Sequence, residues 1–259
     1  MEIKVIQICV GLIISASTVL MIAGSGSYFQ QLTILDVKYA NAASIVFDKS
    51  NFNNPLEIDN KYFPLKPGTE MIYEGKSDGD PTRDVFVVTN ETKEILGITT
   101  RVVSDNAYVD GEHEEATDDW FAQDDQGNVW YMGEYTTDLT TKKNAHEGSW
   151  EAGVNGATAG IIMLAEPKVG DKYDQEFAKG EAEDQGEILS LDESVSVPYG
   201  SFSNVIKTRD TTPLEPDIVE NKYYAPDIGE VKAISVKGES DESALVQINN
   251  NKSSSSDTN

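Results

Sequence analysis

The stretch DDWFAQDDQGNVWYMGE, residues 118–134, decides the fold. Two aromatic-rich arms flank an Asp-Asp-Gln-Gly-Asn cluster, which reads as a calcium loop, a catalytic site or a turn between strands. An EF-hand loop needs oxygen ligands at its positions 1, 3 and 5, glycine at 6 and glutamate at 12. With Gly127 at position 6, Ala122 falls at the first ligand and Gly133 at the last, so the calcium loop fails. The arms alternate with the period of a strand: Trp120, Ala122 and Asp124 share one face, Phe121 and Gln123 the other. Beyond the turn, Val129, Tyr131 and Gly133 oppose Trp130, Met132 and Glu134. Gly127 supplies the positive φ that a loop over 125–128 needs. The aromatics are then cross-strand pairs and core. Stacking of Trp120 or Trp130 on a sugar is the alternative.

Outward from this hairpin the chain keeps the same grammar. RDVFVVT (83–89), KEILGITTRVVS (93–104), FSNVIKTRDTT (202–212), GEVKAISVKG (229–238) and SALVQIN (243–249) are rich in Val, Ile, Thr and Phe and alternate with period two. Gly beside Asp, Asn or Pro punctuates them. The strands recur roughly every 8–12 residues, the spacing of a meander, barrel or sandwich. No long apolar stripe of helical period is present; the best helix candidate is 157–164, which Gly160 weakens. The pattern predicts a mainly β protein, an antiparallel curled sheet or half-barrel built as a meander, with one or two short helices. Residues 26–60 read as a linker or lead, with one edge strand at 44–47. The β domain spans 61–249, and the Ser- and Asn-rich tail 250–259 is expected to be disordered.

The 259 residues carry 45 Asp and Glu against 20 Lys and Arg, a net charge of −25. That field repels phosphates, so nucleic acid and anionic membrane surfaces are excluded as partners of the exposed faces. The single cysteine, Cys9, lies in the N-terminal apolar run, so the body has no disulfide, thiolate metal site or Cys nucleophile. Lys4 precedes an apolar stretch from Val5 to Ala23, the shape of an export signal. Residues 1–25 are therefore expected to be a signal peptide or a membrane anchor. Cleavage at Ser25, cleavage at Ala42 and retention as an anchor all fit. In each case the body faces outside the cytoplasm, and the membrane is met only through this segment.

The second acidic run, GEAEDQGEILSLDES, offers Glu181, Glu183, Asp184 and Glu187 as a candidate metal site. Glu181 and Glu183, two apart, would share a strand face, and adjacent carboxylates repel unless a cation or proton lies between them. Calcium is the cofactor that fits, against the plainer reading of a charged edge that discourages pairing. His113 and His146 are the only histidines and there are no thiols in the body, which leaves a zinc enzyme short of ligands. No G-x-S-x-G is present for a serine nucleophile, and no phosphate-cradling glycine loop lies between a strand and a helix. Acidic pairs for hydrolysis are abundant in such a chain, which for that reason singles out no catalytic residue. Asn90-Glu91-Thr92 and Asn251-Lys252-Ser253 match the glycosylation sequon.

NKYFPLKPGTEMIYEG (60–75) and ENKYYAPDIGEVK (220–232) together resemble a group of secreted bacterial and archaeal proteins of unknown function. In that group a YFPL-x-PGT strand opens the domain and a YYAPGIGxVK pair nearly closes it. The chain keeps Tyr62 to Leu65, Pro67 to Thr69, Tyr73 to Gly75, Tyr223 to Pro226, Gly229, Val231 and Lys232, with Asp227 where glycine is usual. The closing motif is also similar to that of clam-like β proteins related to lipoprotein carriers. That likeness implies one antiparallel sheet curled around an apolar hollow, and it assigns no catalytic residue. It leads to an exported, non-enzymatic envelope protein that binds an apolar ligand, a lipid or another envelope protein. The alternatives are a calcium-dependent structural or adhesive surface protein and an acidic-pair hydrolase.

Overall fold

The structure, a computed structural model, describes residues 45–141 and 144–250. The signal or anchor segment with Cys9, both cleavage points, most of the lead, the Asn251 sequon and the tail beyond 250 lie outside the described residues. Fourteen strands follow in chain order: β1 (Thr69–Ser77), β2 (Asp80–Ile95), β3 (Ile98–Val109), β4 (Glu112–Gln123), β5 (Val129–Asp138), β6 (Trp150–Glu151), β7 (Thr158–Met163), β8 (Lys172–Asp174), β9 (Glu176–Phe177), β10 (Gln185–Val197), β11 (Gly200–Thr211), β12 (Val219–Ala225), β13 (Gly229–Lys237) and β14 (Glu242–Asn250). They form one antiparallel sheet in the order β8-β10-β11-β12-β13-β14-β1-β2-β3-β4-β5-β7-β9, with β6 on β5.

The strands are longer than the spacing of turn signals suggested, because tight two-residue turns fold single predicted runs into hairpins. Leu96-Gly97 at φ 52° and 72° joins β2 to β3, and Asp110-Gly111 at φ 50° and 84° joins β3 to β4. Two successive positive φ values match the right-handed twist of the flanking strands.

Pro67-Gly68 turns the chain into β1, with Gly68 at φ 86°. The 225–229 loop joins β12 to β13. Asp227 sits there at φ 63°, a left-handed conformation that glycine adopts without strain.

The two edges of the sheet are β8 and β9, neighbours in sequence separated only by Gln175. Lys172 to Asp174 pairs with β10, and Glu176-Phe177 pairs with β7. The edges therefore meet at one extended segment, and the sheet curls without a ladder closing it into a barrel. Gly160 of β7 lies against the Gln175 carbonyl at this seam, where a side chain would have no room.

Residues 157–164, the expected helix, are strand β7 instead. Ile161, Ile162 and Met163 are all buried, as a strand covered on both faces requires. Among the described residues the helical structure is one 3-10 turn, Lys49–Asn51.

The interior is filled by residues 58–65, which precede β1. Ile58, Phe63 and Leu65 are buried, and the Phe63 ring lies 5.4 Å from Phe121 of β4 and 6.5 Å from Tyr224 of β12. Phe63 thus touches both walls of the curl. The space left beside it, bordered by Met71, Tyr73 and Phe86, is ≈ 20 Å³, too small for a lipid chain. The apolar space at Phe63 is filled by the protein's own side chains. No strand forms at 45–47; Phe47 stands edge-on to Trp130 at 5.2 Å. Asn250, expected to open the tail, pairs with Thr69.

Residues 118–134 are the expected hairpin, β4 to β5. Asp124 fastens its loop. One carboxylate oxygen accepts from the Gln126 and Asn128 amides and the other from Asn128 Nδ2 and Trp130 Nε1, each at 2.9 Å. Both faces are covered: Phe121 stacks on Tyr131 at 4.9 Å inside, while Lys93 lies 3.2 Å over the Trp120 ring outside. Neither Trp120 nor Trp130 is an open sugar platform. Asp124→Ala strands the buried indole and amide donors and is expected to cost about 2–4 kcal/mol of stability. A urea midpoint that moves by less than the equivalent of about 1 kcal/mol would sink this reading of the loop.

Candidate functional site

Two features stand out: a belt of buried carboxylates and an open cleft at the seam. The belt follows from strand register, since residues opposite each other share a face. Tyr73 faces Asp84, Phe86 faces Asp105, Ala107 faces Glu115 and Asp119 faces Glu134. Glu134 faces Trp150, whose indole donates to Glu176 at 2.7 Å. On the other wall Asp210 faces Glu220 and Tyr224 faces Glu230. Asp84, Glu134, Glu176 and Glu230 are all 5% exposed or less.

Burial governs the chemistry of this belt, because it disfavours the charged form. It pushes Glu115 up to about 7, with Asp119 adding to the effect. It raises Glu230 to about 8, against the opposing pull of Lys222, and Glu220 to about 7 against the same lysine. Asp84 rises well above the carboxylate range through burial and then Glu230. Glu134 does so through burial, Asp119 and Glu115, and Glu176 through burial, Asp184 and Glu134. Tyr131 donates a 2.6 Å hydrogen bond to Asp119. Both Asp84 oxygens, Glu134 Oε1 and Glu176 Oε1 are buried without a hydrogen-bond partner. A buried ionised oxygen left so is costly, and a protonated one much less.

The seam cleft encloses ≈ 1110 Å³. One wall is apolar: Ile45, Trp130, Ile161 and Leu164. The other carries Lys172 and Arg209, which lie 3.5 Å and 3.1 Å from Glu187 between them. Gln185, Gly186 and Tyr173 continue that wall.

The four candidate metal residues are scattered. Glu181 is exposed in a turn, and Glu183 accepts from the Gly180 amide at 2.8 Å. Asp184 is buried beside β9, and Glu187 faces the cleft with its two cationic partners. Glu181 and Glu183 lie on no strand, so the shared strand face does not form. Among the described residues no group of three or more His, Cys, Asp or Glu is placed to hold a metal ion. His113 stacks on Tyr108 and His146 on Tyr135.

Sequence reasoning missed the belt because it counted acidic residues as surface. Strand parity carried the signal: Asp84 alternates in step with Phe86 and Val88, and Asp119 with Phe121, so each carboxylate stands on the core face.

Fold and site together define a curled-sheet β protein with buried carboxylates and a cleft at its seam. No family model matches the chain, and no curated protein matches it. Two solved structures are similar. One is a candidate exported protein with a YmcC-like fold from Bacteroides fragilis NCTC 9343, 17% identical, TM-score 0.44, covering 73% of this chain and 99% of its own. The other is a candidate lipoprotein from Parabacteroides distasonis ATCC 8503, 14% identical, TM-score 0.44, with the same two shares of 73% and 99%. Both likenesses are too distant to assign an activity or a compartment to this chain.

Proposed function

We propose that this is an exported, non-enzymatic protein of the cell envelope that holds an amphipathic ligand of lipid class in the seam cleft. The cleft itself supports the reading: it is of the size of small-molecule sites and pairs an apolar wall with a charged one. An acyl chain would lie along Trp130, Ile161 and Leu164, and a polar head would meet Lys172, Arg209 and Glu187. Export rests on the N-terminal apolar segment. Among the described residues no helix is long and apolar enough to cross a membrane. Asp84, Glu134 and Glu230, whose carboxyls burial displaces, do not line this cleft; Glu134 lines a separate depression of ≈ 280 Å³.

The test is displacement of a fluorescent fatty-acid probe from the full chain. Ala165 is half-buried in the lining of the cleft, outside any strand, and Ala165→Trp fills the cleft. It is expected to weaken probe binding about tenfold or more, about 1.4 kcal/mol, with melting unchanged. A native chain that binds no probe, or a variant that binds as well as the native chain, overturns the reading.

A further inference from the structure

The carboxylate belt is separate from the cleft and asks for its own account. Glu134 and Glu176 bring the sharpest conflict. The charges acting on Glu176 are those of Asp184, Glu134 and Asp119, and those acting on Glu134 are Asp119, Glu115 and Asp184. All are acidic. Tyr131 and Trp150 face the same space: the Tyr131 hydroxyl donates to Asp119 and also opposes the rise at Glu134, and the Trp150 indole donates to Glu176. Lys179 and Glu181 stand on the exposed rim of a ≈ 280 Å³ depression that Glu134, Trp150, Ala178 and the Lys93–Glu151 ion pair also line. Further along the belt, Asp84 and Asp105 face Tyr73 and Glu230, and Lys222 lies with Asp210 and Glu220 on the opposite wall. Glu134 Oε1 and Glu176 Oε1 end in this interior with no donor.

Two adjacent carboxyls in such a place cannot both be ionised, and a proton between or on them removes the conflict. The ladder at the seam is also short. β9 pairs with β7 through Thr158–Phe177 and Ala159–Glu176, and Glu176 is itself one of the repelling groups.

We propose that the belt holds protons while the sheet is curled, and that an alkaline medium loosens the curl at the seam, beginning with β9. Groups that keep protons in the closed form and lose them in the open form favour closure at low pH. That contribution is complete below the ordinary carboxylate range and is lost as the pH rises from there to the raised values, by about 7 at Glu115 and about 8 at Glu230. A metal ion would relieve the same repulsion, but the described residues offer it no ready set of ligands.

Hydrogen-exchange mass spectrometry on the full chain, corrected for the intrinsic rate, tests this. Between about pH 6 and about pH 9, exchange across 172–184 is expected to rise at least about tenfold more than across β2–β4, since each proton released shifts the equilibrium about tenfold per pH unit. Glu176→Gln keeps an oxygen for the Trp150 indole and is expected to flatten that dependence. In the native chain, infrared spectra at neutral pH are expected to show a protonated-carboxyl band that fades with alkali; this measurement needs no variant to fold. Absence of the band, or seam exchange that does not change with pH, overturns the proposal. So does protection restored at about pH 9 by calcium alone, which would put a metal ion where we place protons.

Discussion

Lys222→Met is expected to destabilise the protein by about 3–5 kcal/mol near pH 8, the cost of leaving a buried ion pair with one partner. Among the described residues Lys222 is the only fully buried lysine. Its ammonium lies 3.4 Å from Asp210 and 3.5 Å from Glu220, with side chains 1%, 1% and 14% exposed. Asp210 also accepts from Thr208 at 2.7 Å and from Gln175 at 3.1 Å, and Gln175 is the residue at the seam. The lysine therefore anchors a chain of contacts from β12 to the meeting point of the sheet edges. Methionine matches its length and removes only the charge.

The loss should depend on pH. Lys222 is what holds Glu220 and Glu230 down against burial. Without it both take protons more readily, so the deficit shrinks toward about pH 5, where carrying a proton costs little. Urea unfolding at the two pH values measures this. A loss below about 1 kcal/mol, or one that is the same at both, would mean that the lysine is not the counter-charge of the belt.

Gly75→Ala is expected to cost about 3 kcal/mol or more, at the upper end of overpacking effects. A Cβ there would fall on the Glu242 carbonyl oxygen, with the carbonyl carbon at 2.8 Å and Ser243 Cα at 2.9 Å. These are backbone atoms, so no side chain can swing away. The ladder at stake, β1 on β14, joins the first half of the sheet to the second. Gly79 provides the comparison. At φ 101° it has nothing within 4 Å, so Gly79→Ala meets only backbone strain of about 1–2 kcal/mol. Urea midpoints of the two variants decide the point; equal losses would show that conformation alone, and not the strand contact, sets the cost at Gly75.

Local rules carried the sequence far. Alternation marked the arms of 118–134 as strands, and Gly127 marked the turn, because both properties belong to a few neighbouring residues. The motif glycines and prolines at 67–68 and 229 were legible as turns for the same reason. The run at 157–164 was misjudged because a short apolar stretch has no period of its own; its strand state comes from β5 on one side and β9 on the other. The site lay further out of reach. Glu134 and Asp119 lie in the opening stretch itself, yet what makes them unusual is that they face each other, buried, with Glu176 and Asp184, over 40 residues away, alongside. The sequence by itself determined an acidic antiparallel β protein with an apolar N-terminal segment and the places where it turns. Only the tertiary structure decided that the curl is filled by Phe63, that its edges meet at Gln175, and that carboxylates line its inside, because burial and charge coupling depend on residues that register and curvature bring together.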